Sequence, residues 1–397
     1  HRVTQFIAPG KRNNGPKGWR WEGLTQKDVT LPLLLRKQGY HTIFAGKAHF
    51  APTGFEGEDP TRLGFDINIA GCSFGQPGSY YGEDGYGNLN PKRKKRAVPG
   101  LEKYHKTDVF LSEAITLEAK DAIDQSLKKQ KPFFLYMSHY AVHSPFNSDP
   151  RFAANYKDSK KPKNAQAYAT LIEGIDKSLG DLMDHVASKG EAENTLILFV
   201  GDNGSDAPLG PVHGYSSSVP LRGKKGTCYE GGMRVPFIAG WAKPGKKNTF
   251  PIARDSLHND QIGTVMDLYS TILETAGVKN PSDHVVDGVS LLKQLSGRGN
   301  PDRPDHFMCH FPHSHRSSNF TAFRKGDWKL IYRYKGRAKY ELYDLGKDPF
   351  ETSNLAESEP IKLKEMTKAM ADRLEKEGAL YLSDGDTVLK PEIPGSD

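Results

Sequence analysis

Cysteine is scarce: Cys72, Cys228 and Cys309 are the only three in 397 residues. An odd count at such wide spacing excludes a disulfide scaffold and a cysteine-ligated zinc site. Long apolar runs are missing too, and no stretch approaches the roughly 20 residues that a membrane-spanning helix needs. Neither an initiator Met nor a signal-like segment stands before His1-Arg2-Val3, so the expectation is a sequence that starts inside a longer precursor. Charge of one sign barely predominates. Lys and Arg number 55 against 48 Asp and Glu, a net +7, which is compatible with a polyanionic ligand; a nucleic-acid partner is not expected. What is present is the make-up of a globular enzyme, with 36% hydrophobic and 26% charged residues, outside the disordered range. The length suggests about two to three domains and a core that removes about 70–75% of the unfolded surface from water. The 40 glycines and 26 prolines indicate many irregular connections.

The pattern along the chain alternates helix and buried strand. Thr30 caps a helix with Pro32 in its first turn, Gly39 ends it, and His41 to Ala45 reads as a buried strand. A helix from about Thr107 to Lys129 places Leu111, Ile115, Ala119, Ala122 and Ile123 on one stripe. Phe133 to Met137 is a second buried strand, about Ala165 to Ser188 another helix, Thr195 to Val200 a third strand and Val235 to Ala239 a fourth. This predicts an α/β fold with a mostly parallel central sheet flanked by helices. Beyond about residue 295 the pattern changes. Trp328–Tyr334 and Tyr340–Leu345 read as an antiparallel hairpin, and Pro360–Glu377 as an amphipathic helix. The expected division is therefore 1–295 and 296–397, the latter a smaller α+β subdomain. Lys92-Arg93-Lys94-Lys95-Arg96 is the one charge run and reads as a solvated loop.

Ligands of open α/β sheets gather beyond the C-terminal ends of the strands, and polar clusters fall there. They are Gly46-Lys47-Ala48-His49, His143-Ser144-Pro145, Gly201-Asp202-Asn203-Gly204, and a Gly-rich loop from Leu221 to Gly232 that carries Lys225. Each alone is weak; Asp-Asn-Gly is an ordinary turn signal, and Asn203-Gly204-Ser205 also fits a glycosylation acceptor. Together, two lysines, two histidines and a carboxylate–carboxamide pair suit a hard divalent cation beside a tetrahedral oxyanion.

These clusters, in this order, resemble the sulfatase family of the alkaline-phosphatase-like superfamily. The resemblance runs from residue 1 to about 355. It includes Leu-Arg-Gly-x-Lys-Gly-x-x-Tyr-Glu-Gly-Gly-x-Arg-Val-Pro from Leu221, Asp287-Gly288-Val289-Ser290-Leu291, Tyr340 to Leu345, Asp348-Pro349 and Asn354-Leu355. One departure stands out. The family's Cys/Ser-x-Pro-Ser/Ala-Arg motif, whose first residue becomes formylglycine, is missing, as is its preceding pair of metal-binding aspartates. Ser218-Val219-Pro220-Leu221-Arg222 looks similar but overlaps the Lys225 loop and is read as a decoy. His1-Arg2 resembles the stretch after that motif, so the expectation is a C-terminal part of such an enzyme, lacking roughly its first hundred residues.

By that resemblance the chain implies sulfate-ester hydrolysis on a sulfated carbohydrate, weighted toward a galactose-type unit. His49 would be the base, Lys47 its electrostatic support, and His143 and Lys225 would hold the sulfate, with His143 protonating the leaving oxygen. Asp202 and Asn203 would ligate calcium; oxygen ligands alone leave magnesium open. His310 and His313, in a histidine-rich stretch before the hairpin, are candidate sugar contacts, and Tyr80, Tyr81 and Tyr86 a candidate stacking wall. The partners implied are a sulfated glycan and the missing N-terminal segment, in the periplasm or outside the cell. Rival readings are a phosphodiesterase or phosphonate hydrolase of the same superfamily and a non-catalytic glycan-binding relative.

Overall fold

The computed structural model describes residues 15–16, 18, 22–209, 217–253, 261–312, 319–336 and 338–395. Helix α1 (Leu31–Lys37) starts at Thr30, whose hydroxyl accepts from the Leu33 amide, and buries Pro32, Leu34 and Leu35. It leads into β1 (His41–Ala45), buried at all five positions. Strand β1 pairs in parallel with β2 (Ile67–Ile69) on one side and with β3 (Phe133–Met137) on the other, with Ile43 opposite both Ile67 and Leu135. Helix α2 (Leu111–Lys128) covers this sheet with Ala114, Ile115, Ala119, Ala122 and Ile123 buried. An isoleucine buried this way is worth about 1.5–3 kcal/mol. The helix begins four residues later than its sequence suggests. Thr107, the expected start, instead donates its hydroxyl to the Tyr104 carbonyl and accepts from the Val109 amide, a local turn that competes with helix. Helix α3 (Lys163–Ser188) lies beside α2, the two stitched by a Thr116–Ser178 hydroxyl pair 2.6 Å apart.

A second piece of sheet follows. Strand β4 (Leu196–Val200) pairs with β5 (Phe237–Trp241), and here the pairing is antiparallel, a direction that an apolar run does not reveal. Between them comes the short helix α4 (Glu230–Met233), and after them α5 (Asp267–Thr275) and α6 (Leu292–Leu295). Among the described residues no backbone ladder joins β3 to β4. Ile123, Val186, Phe133, Leu135 and Ala242 nevertheless share one apolar cluster, so α2 and α3 cover both pieces.

The C-terminal part is a four-stranded antiparallel sheet in order β6 (His306–Phe311), β7 (Phe320–Lys325), β8 (Trp328–Arg333) and β9 (Tyr340–Asp344). It extends the expected hairpin by two strands. Helix α7 (Pro360–Lys376) packs Leu363, Met366, Met370 and Leu374 against Phe323, Leu330 and Leu342. The opposite face receives Cys228, Tyr229 and Met233 against Phe320, Ile331 and Tyr343, so the Lys225 loop rests on this sheet. No helix among the described residues is long and apolar enough to cross a membrane.

Candidate active site

Strand β1 runs out through Gly46, which has a left-handed φ of 108°. A Cβ there would stand 2.7 Å from the backbone nitrogen of His139, so only glycine lets the end of β1 cross the segment after β3. Ser138 then donates to the Lys47 carbonyl (2.7 Å). His49 is itself left-handed at φ 60°, a strained conformation for a residue with a Cβ. It is held by its own amide, which donates to Cys72 (3.0 Å), and by Gly75, where a Cβ would meet the imidazole at 2.3 Å.

His143 is fixed from three sides. Its amide donates to the Tyr140 carbonyl (3.0 Å), its carbonyl accepts the Tyr80 hydroxyl (2.8 Å), and Nδ1 lies 3.1 Å from the Ser144 carbonyl. The Ser144 hydroxyl also lies 3.2 Å from Nδ1 and can donate or accept, so a proton on Nδ1 serves both contacts and leaves Nε2 as the working nitrogen. Beyond β4, Gly204 donates to the Gly232 carbonyl (3.0 Å), and a Cβ on Gly204 would collide with Gly231 at 2.0 Å. The Lys225 amide donates to the Ser205 carbonyl (2.9 Å). Ser218 accepts from the Ser205 amide and donates to the Gly231 carbonyl, tying the two loops together.

The electrostatics show that these pieces meet. Burial, then the nearby Lys225 ammonium, lowers the Lys47 pKa, with Asp202 opposing. Burial and the charges of Lys47, His143 and Lys225 push His49 down to about 2. His143 is lowered by burial and by both lysines, against the Ser144 carbonyl and Asp206. Lys47, His49 and His143 are therefore lowered in a pocket that Lys225 shares as a neighbouring positive charge, an arrangement that an incoming anion relieves. Beside His143 opens a cleft of about 730 Å³ bordered by Ser144, Phe146, Asp206 and Lys224, within the size range of ligand sites.

The other predicted residues sort differently. Asp202 is exposed and Asn203 half-buried. The Asn203 amide nitrogen donates to the Gly204 carbonyl (2.9 Å), which reserves Oδ1 as an acceptor. Among the described residues no three His, Cys, Asp or Glu side chains converge as a metal site, and two oxygen ligands fall short of the six to eight that calcium takes. His310 lies on β6 and faces inward, with Nδ1 2.7 Å from the Thr321 hydroxyl, Nε2 2.9 Å from the Leu380 carbonyl, and its ring against Tyr334 and Tyr381. These partners all belong to the C-terminal part rather than to the segments that carry His143 and Lys225. His313 and His1-Arg2 lie outside the described residues. Tyr80 and Tyr86 are fully buried, and Tyr86 donates to the Val109 carbonyl, so they form core rather than a stacking wall. All three thiols are pushed up by burial, Cys309 to about 11, the reverse of what activates a cysteine nucleophile.

One supporting network is invisible to motif spacing. Lys329 on β8, 2% exposed, lies 2.8 Å from both Glu230 and Glu351 carboxylates. Glu351 also accepts from the Glu230 amide (2.7 Å), and its carbonyl accepts from Arg222 (2.8 Å). The C-terminal part thereby grips the Lys225 loop at both ends. Replacing Lys329→Met is expected to lower the unfolding free energy by about 3 kcal/mol, because it strands two buried carboxylates without a counter-ion. Urea unfolding of the two proteins measures this directly, and equal midpoints with equal slopes would remove the network from the account.

Comparison with known proteins follows the same lines. A family model described as Sulfatase matches residues 7–278, and one described as N-sulphoglucosamine sulphohydrolase, C-terminal, matches 224–379. The chain is 30% identical over 408 residues to a sulfatase of Formosa agariphila, spanning 90% of this chain and 69% of that protein. It is 31% identical over 328 residues to N-acetylgalactosamine-6-sulfatase of Canis lupus familiaris, spanning 78% of this chain and 55% of that relative. The crystal structure of Ps i-CgsB superposes with a TM-score of 0.68 at 24% identity, over 91% of this chain and 77% of that one, which shows a shared fold.

Proposed function

The chain belongs to the sulfatase family, and from that premise we propose that it hydrolyses sulfate esters on a sulfated carbohydrate, a galactose-type unit in particular. The observation that carries this reading is the gathering of Lys47, His49, His143 and Lys225 at the ends of β1 and β3 and in the loop before β5, where burial and neighbouring positive charge lower the first three. Such a site stabilises a tetrahedral oxyanion and its leaving group. The named activity of the Canis relative supports the sugar assignment. By the family resemblance, we assign the action to the periplasm or the outside of the cell.

The roles divide among the four residues. Lys225 and His143 hold the sulfate, and Lys47 supports His49 electrostatically. His143, with Nδ1 committed to Ser144, holds a proton on Nε2 once the anion is bound and gives it to the departing sugar oxygen. His49, kept neutral by burial and by its cationic neighbours, accepts a proton as sulfate leaves. A formylglycine on a segment beyond these residues would supply the hydroxyl that attacks sulfur. The edges of β3 and β4 that no strand among the described residues pairs support a strand there as its carrier. Comparing turnover of an aryl sulfate with that of the matching aryl phosphate tests the class; a clear preference for phosphate would assign the chain to phosphoryl transfer instead.

Sulfatases depend on a metal, and we assign calcium, with magnesium second, to a shell of which Asp202 and Asn203 form part. Asp202→Ala in the complete enzyme is expected to weaken calcium binding by about tenfold or more, since even outer partners of a metal ligand account for 10–100-fold. Calorimetric titration reads it, and an unchanged affinity would take Asp202 out of the shell.

A further inference from the structure

The charge run at Lys92–Arg96 is more than a solvated strip. All five side chains are exposed, Lys94–Arg96 on a 3₁₀ turn that Lys92 and Arg93 lead into, and no ion pair among the described residues engages any of them. Uncompensated like charges in one turn repel one another, and a polar chain free to choose would spread them. This turn is pinned instead. Gly78 donates its amide to the Arg96 carbonyl (2.6 Å) and accepts the Arg93 guanidinium on its own carbonyl (2.9 Å). A Cβ on Gly78 would stand 2.9 Å from the Arg93 carbonyl and 3.0 Å from Gly87, so the turn is seated against a glycine pair.

The pin leads to the candidate active site. Tyr80 stands two residues from Gly78, about 7 Å of extended chain. Its hydroxyl donates to the His143 carbonyl (2.8 Å) and its amide to the Asn147 side chain (3.1 Å). These two contacts bracket Phe146, which borders the cleft beside His143. The basic turn is thus linked through Gly78 and Tyr80 to the segment that carries the proposed acid.

We propose that Lys92, Lys94, Lys95 and Arg96 form an accessory surface that holds the flanking anionic sugars of a polysulfated glycan while one sulfate occupies the site. This rests on the sulfatase reading and adds to it a preference for long, densely charged substrates over single sugars. A charged surface of this kind raises the local concentration of a polyanion and does so less as salt screens it, with a Debye length of about 10 Å at 0.1 M.

The test uses the triple variant Lys92→Gln, Lys94→Gln, Lys95→Gln, which removes three charges and leaves the Arg93 and Arg96 anchors in place. The control variant Lys246→Gln, Lys247→Gln, Lys279→Gln removes three exposed charges elsewhere. In the complete enzyme, affinity for a polysulfated oligosaccharide at low salt is expected to fall about tenfold in the first variant, as three surface charges warrant, with a shallower salt dependence. The control is expected to change it less than twofold, and both variants to keep parental turnover of a small aryl sulfate. Equal losses in the two variants would reduce the effect to net charge and overturn the proposal, as would no loss in either. An equal loss for a single-stranded polynucleotide would overturn the assignment to glycan. If the enzyme cleaves no sulfate ester yet the turn variant alone loses glycan binding, the sulfatase reading fails and the surface stands.

Discussion

Lys225→Ala and His143→Ala are each expected to turn over a sugar sulfate about 10²–10³-fold more slowly than the parent enzyme, with unchanged melting, because each removes a donor aimed at charge that grows in the transition state. Both residues are held in place through their backbones. Lys225 anchors its loop through its backbone amide to Ser205, and His143 is placed by its amide and carbonyl. The two losses are separable by leaving group. An aryl sulfate departs as a stable phenolate and needs little protonation, so His143→Ala is expected to lose much less on it than on a sugar sulfate. Lys225, which faces sulfate oxygens common to both substrates, is expected to lose equally on both. Near-parental turnover of the sugar sulfate in either variant would sink the role assigned to that residue, and equal losses for His143→Ala on the two substrates would make it a binding residue rather than an acid.

Much of this site is legible in the sequence because it is built from short motifs at strand ends. Gly46-Lys47-Ala48-His49 needs only its own glycine to turn the strand, and Gly201 to Gly204 needs only the Gly231-Gly232 pair that its motif partner carries. What the sequence hides is support from a distance. Gly75 against the His49 ring, Tyr80 behind His143 and Lys329 beneath the Lys225 loop lie outside any motif, and only folding brings them in. The strand β6 was obscured differently. His306 and His310 dilute its hydrophobicity, and the period-two pattern of His-Phe-Met-Cys-His-Phe then resembles a metal or substrate cluster. His310 instead satisfies both ring nitrogens within the C-terminal fold. The direction of β5 was beyond reach, since a five-residue apolar run reads the same in parallel and antiparallel sheets.

The polypeptide from His1 to Asp397, expressed alone, is expected to release no sulfate and to aggregate, and supplying a strand that carries the nucleophile is expected to restore both solubility and turnover. The reason lies at the sheet's interruption. Phe133–Met137 and Leu196–Val200 are apolar on both faces, as strands buried under helices on either side are. Yet β3 and β4 are only half-buried, and Tyr136 is 45% exposed. Among the described residues each pairs on one edge only, and His139 just beyond β3 keeps a buried Nδ1 with no hydrogen-bond partner there. An apolar open edge is a template for pairing with other chains. A strand seated between β3 and β4, about 4.8 Å from each, would close that edge and end beside Lys47, His143 and Asp202, where a nucleophile and further oxygen ligands are needed. Adding the strand-bearing polypeptide in trans and following both light scattering and sulfate release tests the two halves of the claim together. A chain that folds cooperatively alone and hydrolyses sulfate esters would carry its own nucleophile. Since burial raises all three thiols, the hydroxyl of Ser218, released from Ser205 and Gly231, would then be the residue to examine.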